Sequence, residues 1–170
     1  MIRVLSFYMI WMYQPLIGSQ GMAILYYGFV HAGITGAEII FMNNFSRLEN
    51  IFGSKKRYLF GSALVTGISL LMLGINSYLP LTIILIMLVG GFGMSRHIFH
   101  QSYLNKYIES HNRATVISSM SMLYNFVKGA LYPILGILVE WNLKGAFIVL
   151  GIVTIIFSII SKVEEEHLKD

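Results

Sequence analysis

The chain has 170 residues, 56% of them hydrophobic and only 12% charged, with mean hydropathy +0.70 and a formal net charge of +4. A soluble domain usually carries about 25% charged residues, so the composition excludes ordinary soluble domains and points to lipid as the solvent. With no cysteine there is no disulfide, thiolate nucleophile or cysteine-ligated metal, and cations lying in short loops between apolar runs argue against a nucleic-acid partner.

The first span is predicted over 4–17, closed by Pro15 and the turn Gly18-Ser19-Gln20-Gly21. Arg3 before an apolar stretch imitates a signal peptide, but no small-x-small cleavage site follows, so the segment reads as a retained helix. A second span covers 22–46, and a polar loop over 47–57 separates it from a third over 58–75. Asn76-Ser77 makes a turn, and Pro80 suits the first turn of the fourth helix, where its missing N–H costs little. That helix reaches 105, a fifth runs over 113–139 and a sixth over 145–161, before a charged tail at 162–170. The expected fold class is all-α, a polytopic membrane protein built as a six-transmembrane-helix bundle.

Loop charges set the orientation. With both termini in the cytoplasm, Arg3, Arg47, Lys55, Lys56, Arg57, Lys106, Arg113, Lys162 and Lys169 lie inside and only Lys144 lies outside, as the positive-inside rule requires.

Three ionisable groups remain within spans: Glu38 in the second, Arg96 in the fourth and Lys128 in the fifth. Each costs about 2.5–3.5 kcal/mol near the bilayer centre, so they must face protein or water. Helical spacing agrees. His31, Thr35, Glu38 and Met42 form one stripe, and Ser118, Ser121, Asn125, Lys128 and Tyr132 another. Gly93, Arg96 or His97, His100 and Tyr103 form a comparable face on the fourth span. The third and sixth spans hold no charge and only thin stripes such as Ser62, Thr66 and Ser69. The second, fourth and fifth helices therefore read as cavity helices, and the third and sixth as lipid-facing buttresses.

Counting from span ends puts Glu38 and Arg96 at similar depth, where an ion pair could join them. That pair serves either helix packing or substrate and proton coupling. Lys128 has no obvious acid in the chain, which favours a functional role, and His31 reads equally as a packing histidine or a proton relay. His97-x-x-His100 lacks further ligands at matching spacing, so no metal site is expected, and no cofactor either. Trp11, Tyr26, Tyr27 and Tyr78 lie towards span ends, where aromatics anchor to the interface.

Three stretches carry a likeness. Asn44-Phe-Ser-Arg-Leu-Glu-Asn-Ile-Phe-Gly-Ser-Lys-Lys-Arg57 places a glycine before basic residues after the second span, although no Asp-Arg pair precedes the glycine. Arg113-Ala-Thr-Val-Ile-Ser118 opens the fifth span, and Pro133-Ile-Leu-Gly-Ile-Leu-Val-Glu140 ends it. In this order the chain resembles the C-terminal six-helix half of a major facilitator superfamily transporter, over nearly its whole length. The resemblance implies two halves rocking about a midplane cavity, and a cavity or inter-half surface made from the first, second, fourth and fifth helices.

The implied function is half of a secondary active transporter moving a small solute, coupled to protons through Glu38. The candidate substrate and ion-coupling residues are Glu38, Arg96, Lys128, His31, Asn125 and His97. Arg113, Gly129 and Pro133 are the structural or gating candidates, because Pro133 cannot donate to the carbonyl of Gly129 and should bend the fifth helix. The short first span reads as an internal start, so the expected partners are the lipid bilayer, the solute, and an N-terminal six-helix half or a second copy of the chain. A non-transporting six-helix membrane protein is the rival reading. Without cysteine, paired acids in the spans or a metal cluster, an enzyme is not expected.

Overall fold

The computed structural model describes residues 2–96 and 111–160. Within them the chain is a series of helices joined by short turns: α1 (Ile2–Ser19), α2 (Tyr27–Asn43), α3 (Phe45–Phe52), α4 (Lys55–Ile75) and α5 (Leu79–Leu88), the last running into a π-helical segment, Val89–Met94. A final helical stretch, Arg113–Ile160, has a single non-helical residue, Asn142, with φ −159° and ψ 101°. It is described below as α6 (113–141) and α7 (143–160). Among the described residues the fold is all-helical, with six main helices and α3 as a short connector.

Local chemistry explains the boundaries. α1 continues past Pro15 to Ser19, and the following turn uses Gly21 at φ 88°, a conformation glycine adopts without steric cost. Asn76 builds the turn before α5 by donating from Nδ2 to Tyr78 O and Thr82 Oγ1, both at 2.9 Å, while its Oδ1 accepts from Tyr78 N. Pro80 lies in the first turn of α5. Asn142 caps α7: its Oδ1 accepts the Gly145 backbone N–H at 2.9 Å, satisfying a donor that the helix start leaves open.

The expected polar loop over 47–57 is partly helix. Phe45, Leu48 and Phe52 fall on one face of α3, and the rings of Phe45 and Phe52 meet Tyr58 edge-on at 5.0 and 5.6 Å. Charges and glycine dominate the stretch as written, and the apolar spacing beneath them forms the helix. It ends at Gly53, φ 80°, and Ser54 Oγ then accepts from Arg57 N to start α4.

Three described stretches are long and apolar enough to cross a membrane: Ile24–Asn43, Lys55–Ile75 and Ala114–Ile160, the last including both α6 and α7. Leu79–Met94 is a shorter apolar helix. α4 and α7 pack antiparallel through glycines. A Cβ on Gly67 would lie 2.6 Å from Ile155, one on Gly74 2.6 Å from Lys144 O, and one on Gly151 2.6 Å from Leu71 N. Small residues at these points let the backbones close, which is how membrane helices gain dispersion contact when lipid is as apolar as leucine. The outward faces of the pair show Phe60, Ile68, Met72 and Ile75 on α4 and Ile152, Ile156 and Ile159 on α7, suited to lipid.

α1 lies at the centre of the described core. Val4, Leu5, Tyr8, Met9, Met12, Tyr13, Leu16 and Ile17 are all buried. By contrast, only Val30 and Ile34 are buried on α2. α2 and α6 therefore flank the bundle with much of their surface uncovered, and their uncovered residues mix apolar side chains with His31, Thr35, Ser118, Ser121 and Asn125.

Candidate functional site between α1, α2 and α6

α1 and α6 run parallel and in step. The Arg3 guanidinium lies 4.5 Å from the Tyr124 ring centroid, the Lys128 ammonium 4.3 Å from that of Phe7, and the Trp11 and Tyr132 rings meet edge-on at 6.4 Å. Each advance of one helical turn on α1 matches one on α6, because both stripes repeat every four residues. The result is reciprocal: a cation from each helix covers an aromatic ring of the other. Lys128 also lies 5.3 Å from the Tyr124 centroid, so one ring touches both cations. Tyr8 tightens the seam, donating its hydroxyl to Lys128 O at 2.5 Å and packing edge-on to Tyr132 at 5.2 Å.

A cation over a ring is worth about 0.5–1 kcal/mol when exposed and about 2 kcal/mol or more when desolvated. Lys128 is half-buried, between those limits. The two ring faces offset part of the cost of holding the charge there.

The sequence spacing allowed a Glu38–Arg96 pair, and the hydrogen-bond partners described for Arg96 lie on α4. The cation acting on the Glu38 carboxylate is Arg3. Arg96 is 8% exposed and turned to α4, where one guanidinium nitrogen donates to Leu59 O and to Ser62 Oγ, both at 2.6 Å. The cause lies in the π segment just before it, since a wider turn changes the angular position of every residue that follows. Its glycines make the close approach possible: a Cβ on Gly90 would lie 2.9 Å from Ile34, one on Gly91 2.8 Å from Phe41, and one on Gly93 3.0 Å from Thr66. Ser95 closes the segment by donating its hydroxyl to Gly91 O.

His31 belongs to a different neighbourhood, towards the other end of α1. Its Nδ1 is 3.4 Å from the Tyr13 hydroxyl, and the two rings stack at 6.2 Å. Gln14 Nε2 donates to the same hydroxyl at 3.3 Å. Asn125 is exposed on α6 beside Tyr124. Gly129 and Pro133 lie within the helical dihedrals of α6, and nothing lies within 4 Å of a Cβ built on Gly129. His97 and the Arg113 side chain lie outside the described residues.

So the structure joins Lys128 with Arg3 at the Tyr124 ring, Arg3 is the cation whose charge acts on Glu38, and Arg96 hydrogen-bonds α4. Arg3, Phe7, Tyr8 and Tyr124 form this face with Lys128, although sequence reasoning assigned none of them to the site. Arg3 precedes the first apolar run as a loop cation would, yet it faces Tyr124, which lies roughly 16 Å along α6 from Arg113 at 1.5 Å per residue. The usable signal was the four-residue spacing of Arg3 with Phe7 and of Tyr124 with Lys128, legible only once the first and fifth spans are known to touch.

This face offers two cations, a carboxylate and several ring surfaces, a set suited to holding a polar solute. The family model of the Major Facilitator Superfamily matches residues 1–169. No curated protein and no solved structure matches the chain.

Proposed function

The chain belongs to the major facilitator superfamily, a family of membrane transporters, and on that premise we propose that it is a six-helix half, the C-terminal one, of a secondary transporter. It moves a small solute by alternating access, with both termini in the cytoplasm. The carrying observation is the α1–α6 ladder, which holds the Lys128 ammonium over the Phe7 ring.

The rest follows from the cost of uncovered polar groups in lipid. His31, Thr35, Ser118, Ser121 and Asn125 are exposed on α2 and α6, and a second six-helix unit would convert that surface into the wall of a solvated cavity. An N-terminal half or a second copy of the chain can supply the cover. Glu38, half-buried on α2, is the proton-coupling group in this reading.

The test is solute uptake into vesicles under an imposed pH gradient, scanned over a mixed panel of metabolites and drugs. The chain would be reconstituted alone and with an N-terminal six-helix half. Gradient-driven uptake that Glu38→Gln abolishes, while solute exchange persists, is the expected result. Gradient-driven uptake that survives Glu38→Gln removes the coupling assignment. A folded, inserted assembly that moves nothing favours the rival, a non-transporting six-helix membrane protein.

A further inference from the structure

We propose that Arg3 and Lys128 together form a two-point receptor for an organic oxyanion, a carboxylate or phosphate carried on an apolar body. The inference deepens the transport reading and rests on it for the passage of the solute across the membrane.

The argument starts from how the two cations are held. An aromatic quadrupole attracts a positive charge without neutralising it, so Lys128 over Phe7 and Tyr124 keeps its full charge for a further partner. The Arg3 guanidinium carbon lies 4.5 Å from the Tyr124 ring centroid. The N–H donors of a guanidinium point outward from its edge, in the fork that binds a carboxylate or phosphate through paired hydrogen bonds. One ring, Tyr124, touches both cations and fixes their relative placement.

The surrounding charges decide the sign of the ligand. Among the described residues α1 contributes Arg3, α2 contributes Glu38, and α6 contributes Lys128, an excess of one positive charge. His31 lies farther along, with Tyr13. Arg96 is directed into α4 and adds nothing to this face. A cationic solute would have to sit beside two like charges or displace one of them from its ring. An anion meets both without displacing either. Beyond Lys128 the ladder continues as Trp11 and Tyr132, both exposed rings that would take an apolar body.

Equilibrium binding of radiolabelled benzoate to the full chain in detergent tests this. Saturable binding is expected, displaced by unlabelled benzoate and not by benzylamine, which has similar shape and opposite charge. Arg3→Gln and Lys128→Gln should each weaken it about tenfold or more, the scale of one charge-assisted hydrogen bond. Lys128→Arg should retain it, and Glu38→Gln should tighten it by removing the competing anion. Helix content and elution volume matching the parent chain show that each variant is folded.

Displacement by benzylamine, binding unchanged in the Arg3→Gln/Lys128→Gln double variant, or no saturable binding by folded protein would each overturn the receptor. Phosphatidylglycerol displacing benzoate far more strongly than inorganic phosphate does would assign the oxyanion to a lipid headgroup and overturn the solute site. Benzoate binding with no uptake of any solute by the complete assembly removes the transport reading and leaves the receptor standing. Uptake with no preference for anions and no effect of Arg3→Gln removes the receptor and leaves transport standing.

Discussion

The ammonium of Lys128 lies 4.3 Å over the ring of Phe7, and the Phe7 helix also donates the Tyr8 hydroxyl to the Lys128 carbonyl. Side chain and backbone of one α6 residue are thus both held by consecutive residues of α1. This lysine is placed by aromatic faces and by a hydrogen bond at its own peptide group. Placement of this kind leaves its charge available to a solute.

Replacing Phe7 by leucine should therefore release Lys128 without unfolding the bundle. The expected loss is about 1–2 kcal/mol in unfolding free energy, from the lost cation–π contact and a smaller apolar volume. Lys128→Met keeps most of the stem contact and removes the charge. It should cost no more stability in detergent than Phe7→Leu, since the stem contact is kept, while reducing uptake tenfold or more in a complete assembly. Equal uptake by Lys128→Met and the parent would remove Lys128 from the transport path.

The partner of Glu38 can be read from coupling energies. Thermal unfolding of Glu38→Gln, Arg3→Gln and the double variant should give a coupling above about 0.5 kcal/mol, as expected for interacting neighbours. The corresponding cycle for Glu38 and Arg96 should be additive within about 0.5 kcal/mol, because Arg96 is engaged by Leu59 O and Ser62 Oγ. The reverse pattern would restore the Glu38–Arg96 pair.

The α4–α7 seam tolerates no added atom at Gly151, where a Cβ would lie 2.6 Å from the Leu71 backbone nitrogen. Gly151→Ala should cost about 1–3 kcal/mol through overpacking. Gly36→Ala is the control: nothing lies within 4 Å of its Cβ, and alanine in an unobstructed helix interior should gain about 0.5–1 kcal/mol. Survival of folded protein after graded heating, read by size-exclusion chromatography, orders the two variants. A Gly151→Ala protein as heat-resistant as Gly36→Ala contradicts the close seam.

Asn142→Ala should lower stability by about 1 kcal/mol, the usual cost of an N-cap that no longer accepts a backbone N–H. Asn142→Ser and Asn142→Asp should retain most of it. Hydrogen exchange at Gly145, whose N–H the cap accepts, should quicken in the alanine variant alone.

Much of this architecture was legible in the residues. The Asn76 turn, Pro80 in the first turn of α5 and Gly21 in its turn are local matters of backbone chemistry, and each acts as its neighbours dictate. The helix at Phe45–Phe52 was hidden beneath charged residues because its apolar face has meaning only when Tyr58 folds back on it. The placement of Arg3 was hidden for a similar reason. A basic residue before an apolar run reads as a loop cation until a neighbouring helix is found to extend past it.

By itself the sequence determined the all-helical membrane character and which charges carry a cost in lipid, because hydropathy and desolvation cost belong to each residue wherever its neighbours lie. Only the tertiary structure decided which sheltered charges meet. Pairing between helices depends on their rotation and axial register, and here a π segment turns Arg96 towards α4 while parallel packing of α1 on α6 sets Arg3 and Lys128 on one ring. Both quantities arise from contacts between segments far apart in the chain, so no local pattern encodes them.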